Sequence, residues 1–215
     1  MRTRTLSLTA VVTGLTLALT ACTSESADPE PTAPDDTAAT SDDGLEGDAG
    51  NQGWMCQYVS PRAVEVLAGG EAQTPRQLVT EDDEDTWVCD VLVGGPGEQE
   101  PLARLSIDLG EEAREEARER AESAEGVQPG PDYLGVSFVS PGLVTGLTLC
   151  TAPDATDVND KIPYALVAES FGETGPEATD RLRQALTEMA KNLDGNLGCS
   201  PTRAVAEDAE QTTAP

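Results

Sequence analysis

The chain has 215 residues, 13 of them basic and 40 acidic, for a formal charge of −27, and it contains no histidine. Nothing in such a composition neutralises phosphates, which argues against nucleic acid as a partner and against a polybasic grip on anionic lipid. Without His there is no Ser-His-Asp or Cys-His site, no HExxH zinc site and no His-based pH switch.

Arg2 and Arg4 precede an uncharged run from Leu6 to Ala21. A membrane-spanning helix needs about 20 predominantly apolar residues. This run is short and Thr-rich, and it fits the apolar region of a secretory signal. Its end, Leu19-Thr20-Ala21-Cys22, resembles the lipobox of bacterial lipoproteins. The resemblance implies cleavage before Cys22, diacylglycerol on the Cys22 sulfur and a freed amine open to acylation. Residues 1–21 are then a signal peptide, and Cys22 joins the protein to its first partner, the membrane. The implied location is the extracytoplasmic face of the cell membrane. Several acyl chains, each contributing about 0.8 kcal/mol per buried methylene, hold far better than one.

Residues 23–52 carry nine acids, no base and no aromatic, with three prolines and Leu45 as the one large aliphatic. Such a stretch buries too little apolar surface to offset its ordering entropy. With Cys22 it reads as a disordered acidic tether, spanning roughly 30 Å or more. The end, residues 201–215, reads as a disordered tail for the same reason.

Between them, residues 53–200 are long enough for one core. In "SPRAVEVLAGG", Ser60 is a helix N-cap, Pro61 the first helical residue and Gly69-Gly70 the stop. "TWVCDVLVG" is a strand with Trp87, Cys89, Val91 and Val93 on one face. "LARLSIDLG" alternates, turning Ala103, Leu105, Ile107 and Leu109 inward, and the Gly-Pro link before it predicts an antiparallel pair. "EEAREEARERAESAEG" predicts a helix that packs through Ala113, Ala117, Ala121 and Ala124. Its charges form a solvated face with pairs such as Glu116–Arg120 and Arg118–Glu122. Strands follow at 144–150 and 162–171, with a short one at 135–139. A last helix runs from Pro176 to about Leu193, its stripe being Ala178, Leu182, Ala185, Leu186, Met189 and Leu193. The expectation is an α+β domain, a mostly antiparallel sheet with packed helices in the order α-β-β-α-β-β-α.

The domain holds Cys56, Cys89, Cys150 and Cys199. An even number in an exported domain reads as two disulfides. Neither a CxxC pair nor a His supports a metal site. Of the three pairings, Cys56–Cys89 with Cys150–Cys199 is preferred, because each bond then ties a helix-flanking segment to a neighbouring strand. "CQYVSPRAVEVLAGG" followed by "WVCDVLV", within residues 54–93, is similar to the start of small actinobacterial lipoproteins classed as domains of unknown function. That resemblance implies an early Cys, a short helix ending in Gly and a Cys beside a Trp on the first strand. It carries no catalytic residue across.

Chemistry is hard to place. A serine nucleophile would need a Lys base, and the two lysines fall on a polar helix face (Lys191) and in an acidic loop (Lys161). Asp154, Asp157, Asn159 and Asp160 share one loop and residues 81–85 contain five acids, yet neither has EF-hand spacing. No catalytic residue, metal or cofactor is expected. The segment "GPDYLGVSFVSPG" sets Tyr133 and Phe138 among glycines and prolines, making them candidate binding residues. The function expected is a membrane-anchored surface lipoprotein with a non-catalytic binding or sensing domain for an envelope partner or small ligand. The alternative is an extracytoplasmic hydrolase that uses carboxylates in place of His. An apolar pocket between sheet and helix would favour the first.

Overall fold

A computed structural model describes residues 53–95 and 101–213, with side chains to residue 210. The segments expected to be signal and tether, Cys22 between them, and residues 214–215 lie outside the described residues. Ser60 Oγ accepts from the Ala63 amide at 3.1 Å and Pro61 begins helix α1 (Pro61–Leu67), as its sequence predicts. The chain then forms strands β1 (Arg76–Asp82), β2 (Thr86–Leu92) and β3 (Pro101–Leu109), and helix α2 (Glu111–Glu122). Next come β4 (Gln128–Pro129), a 3-10 turn at Asp132–Leu134, β5 (Val136–Ser140), β6 (Leu143–Thr151) and β7 (Lys161–Ser170). Helices α3 (Pro176–Leu197) and α4 (Pro201–Thr213) complete the described chain.

The strands form one antiparallel sheet in the order β1-β2-β3-β7-β6-β5-β4. The α+β class with a mostly antiparallel sheet therefore holds, while the order α-β-β-α-β-β-α omits β1, β4, β5 and α4, β5 being the short strand expected at 135–139. Strand β1 is an edge strand whose last four residues are exposed, so it lacks the alternation that marks a half-buried strand.

Partners directly opposite in an antiparallel ladder share a face. The row Cys89–Leu105–Ala168–Val144 thus crosses β2, β3, β7 and β6 on a single face. Helices α1 and α3 cover this face, and α3 buries Ala178, Leu182, Ala185, Leu186 and Met189 against it. At about 1.5–3 kcal/mol for each large aliphatic buried, this stripe is the main reason α3 stays on the sheet. On the opposite face Ala117 of α2 meets Leu147, Ala165 and Val167, with Phe138 packed alongside.

The disulfides join Cys56 to Cys89 and Cys150 to Cys199. The first holds the segment before α1 to β2, and the second holds the α3–α4 link to β6. Two disulfides belong to an oxidising, extracytoplasmic compartment. Among the described residues no helix is long and apolar enough to cross a membrane.

Two expectations need correction. Residues 201–213 form a helix, whereas their composition predicts a disordered tail. The Ser200 amide donates to the Leu149 carbonyl at 2.7 Å, on the stretch of β6 that extends beyond its pairing with β5. The chain then buries Ala204 and brings Asp208 to Arg118 of α2. Packing and an ion pair thus order a segment too polar to order itself. Nor is the charged face of α2 simply solvated. Arg114 is buried between Glu111 (3.5 Å) and Asp208 (3.8 Å). Arg118 does reach Glu122 at 3.7 Å, whereas Arg120 pairs with Glu169 of β7.

Candidate functional site

Two glycines bring the 3-10 turn down onto β6. Gly135 has φ +82°, and a Cβ there would lie 2.0 Å from the Leu147 carbonyl oxygen. A Cβ at Gly146 would lie 3.0 Å from Leu134 Cβ. With only hydrogens at both positions, backbone rests on backbone and Leu134 is wholly buried over β6. Tyr133, one residue earlier, projects outward and is 47% exposed. Its hydroxyl is hydrogen-bonded to Thr187 Oγ1 of α3 at 3.1 Å.

The other side is set by the end of α3. Gly198 takes the left-handed conformation at its C-cap, with φ 60°. Lys161, at the start of β7, donates to the Gly198 carbonyl and to Thr151 Oγ1, the latter at 2.8 Å. Its ammonium is therefore a clamp on the helix terminus. The Cys150–Cys199 bond follows at once and turns the chain into α4.

Between turn, strand and helix lies a cavity of about 460 Å³. Its walls are Leu134, Ala190, Cys199 and Pro201, with Tyr133 and Thr187 at one side. Lys191 and Asp194 stand at an exposed rim, and the Lys191 ammonium is 2.7 Å from Glu188. Thr148 of β6 contributes a different kind of group. Its residue is 5% exposed, and its Oγ1 is buried without a hydrogen-bond partner. Buried hydroxyls are nearly always paired, so this one calls for an explanation.

Charges nearby are already engaged. Arg183 donates to Asp180 and, with Gln184, holds its carboxyl below the usual carboxylate range. Tyr164, opposite Thr148 on the ladder, is buried, which pushes its phenol above the ordinary value.

The two candidate binding residues part company. Tyr133 lines the cavity on the α3 face, whereas Phe138 packs against the Leu147 and Val167 cluster beneath α2. They lie on opposite faces of the sheet and form no joint site. Thr148 carries no motif that marks it as a site residue, although strand parity places it on the same face as Cys150 and Val144. The loop acids serve turns: Asp83 accepts from the Asp85 and Thr86 amides, and Asp157 from the Asn159 amide.

A second, wider groove of about 750 Å³ runs between α1 and the start of α3. Glu65, Glu71, Glu173 and Glu177 line it together with Arg62, which lies 2.9 Å from Glu65 and 3.8 Å from Glu177. Among the described residues that line it none is aromatic. No family model, curated protein or solved structure matches this chain.

Proposed function

We propose that this protein is a lipoprotein anchored through Cys22, whose domain binds a small ligand in the cavity between the 3-10 turn, β6 and α3 without transforming it. The observation that carries this reading is the cavity itself. It is lined mainly by apolar groups, lies between sheet and helix, and falls within the volume range of small-molecule sites. The lipobox-like Leu19-Thr20-Ala21-Cys22 and the acidic tether supply the anchor and the reach. Loss of Arg2 and Arg4 with the signal would leave a formal charge of −29. The carboxylate hydrolase needs two acids facing one reacting bond. Among the described residues lining the cavity Asp194 is the sole acid, so that alternative would belong to the second groove with its four glutamates.

The test is a thermal-shift screen of neutral, polar and charged small molecules against the wild type and Ala190→Trp. The substitution places an indole in the cavity from its α3 wall. Stabilising compounds should lose their effect in the variant. If every hit stabilises both proteins equally, ligand binding at this cavity is wrong.

A further inference from the structure

We infer that the cavity takes an uncharged ligand, an apolar body carrying one hydroxyl or carbonyl head, and that the head meets Thr148 Oγ1. The inference rests on the cavity being a binding site, and it specifies what would fill it.

The argument starts from the unpaired hydroxyl. Thr148 is in the cavity wall on the α3 face of β6, while its Oγ1 in the empty state is closed to solvent and bonded to nothing in the protein. The head therefore reaches it as the Thr148 side chain turns about χ1 and brings the hydroxyl to the wall. An unsatisfied buried hydroxyl raises the energy of the empty state, and a ligand group that pairs with it recovers that cost. A hydroxyl both donates and accepts, so either a ligand carbonyl or a ligand hydroxyl completes the bond.

The surrounding groups decide the remaining chemistry. Leu134, Ala190, Pro201 and the Cys199 side chain offer carbon and sulfur contacts, so the ligand's body is apolar. A charged head at Thr148 would be desolvated without a buried counter-charge, because Lys191 and Asp194 are exposed. The Lys191 ammonium already has Glu188 as its partner. The protein's formal charge of −27 further disfavours an anion. As to size, a dry cavity of about 150 Å³ holds one benzene. A volume of about 460 Å³ therefore admits a bicyclic molecule or a short chain with its head group.

Three probes share one body and differ only in the head: naphthalene, 2-naphthol and 2-naphthoate. Their saturable binding to the full chain in detergent-free buffer should rank 2-naphthol first. Its advantage over naphthalene should be about tenfold, as one buried hydrogen bond allows, and 2-naphthoate should bind most weakly. In Thr148→Val the advantage of 2-naphthol should vanish, while Thr148→Ser should keep it. Circular dichroism of both variants checks that they fold. Equal binding of naphthalene and 2-naphthol to the wild type, or an advantage that survives Thr148→Val, overturns the head-group inference and leaves the cavity standing as a site. Absence of saturable binding by all three, or binding untouched by Ala190→Trp, overturns both readings.

Discussion

Replacing Gly135 by alanine should unfasten the turn that shapes the cavity. The new Cβ would meet the Leu147 carbonyl oxygen at 2.0 Å and the Leu147 carbonyl carbon at 2.9 Å, both backbone atoms. An ordinary contact requires the carbonyl to retreat by roughly 1 Å, and Leu147 sits in the β5–β6 ladder opposite Val136. Gly135 also has φ 82° and ψ −141°, a conformation costly for any residue with a Cβ. Strain of about 1–3 kcal/mol and one or two weakened ladder bonds of about 1 kcal/mol each sum to roughly 4 kcal/mol. For a domain of this size that is a fall in Tm of roughly 8–16 °C. Urea denaturation at 25 °C gives the free energy, and a thermal scan gives the shift. Gly195→Ala is the control. Gly195 lies inside α3, and a Cβ added there would meet nothing within 4 Å, so alanine should stabilise by about 0.5–1 kcal/mol. A loss below about 1 kcal/mol for Gly135→Ala would refute the close seating of the turn on β6.

Three more outcomes follow from the same physics. Cys150→Ser with Cys199→Ser opens a loop of sequence separation 49, and loop-closure entropy sets the expected loss near 4 kcal/mol; an unchanged urea midpoint would contradict the staple's role. Burial raises the Tyr164 phenol above its ordinary value of 10.0, so the native state keeps that proton more tightly than the unfolded chain. The stability tied to it is present below pH 10 and is lost as pH rises through the native value. Tyr164→Phe should therefore flatten the alkaline decline in Tm, and identical slopes would count against this assignment. Labelled palmitate should enter the wild type and not Cys22→Ala; incorporation in both would remove the anchor from the account.

Much of the fold is legible where a local signal and a buried face coincide. Ser60-Pro61 marks the start of α1, the stripe from Ala178 to Met189 marks α3, and β-branched and aromatic content marks the strand around Cys89 and Val91, which is buried from Val88 to Leu92. Strand β1 escapes because its burial comes from a single neighbour, and its acidic end has no inward face. Helix α4 begins with Ser200-Pro201, the same dipeptide that starts α1, yet its acidic composition outweighs that signal. What orders it is tertiary: Ala204 in the interior and Asp208 on α2. Arg114 shows the same limit in reverse, a charge on a charged helix that ends up buried, with Asp208 of α4 reaching it.

The site divides along similar lines. Tyr133 and Phe138 look alike in sequence, as aromatics among glycines and prolines. One stands on a turn facing α3, and the other faces α2 from a strand. Only the register of β5 on β6 separates them. Thr148 could be placed on the face of Cys150 from parity alone. Its missing hydrogen-bond partner depends on how the turn, β6 and α3 meet, which no local pattern encodes.

The central claim is that a small ligand occupies the space between the 3-10 turn, β6 and α3. The most direct measurement is a map of amide chemical shifts as 2-naphthol is titrated into isotopically labelled protein. The account predicts saturable changes centred on Tyr133, Leu134, Thr148, Thr187 and Ala190, with Arg62 and Glu173 of the second groove unmoved. Changes centred on that second groove, or none that saturate, would contradict it.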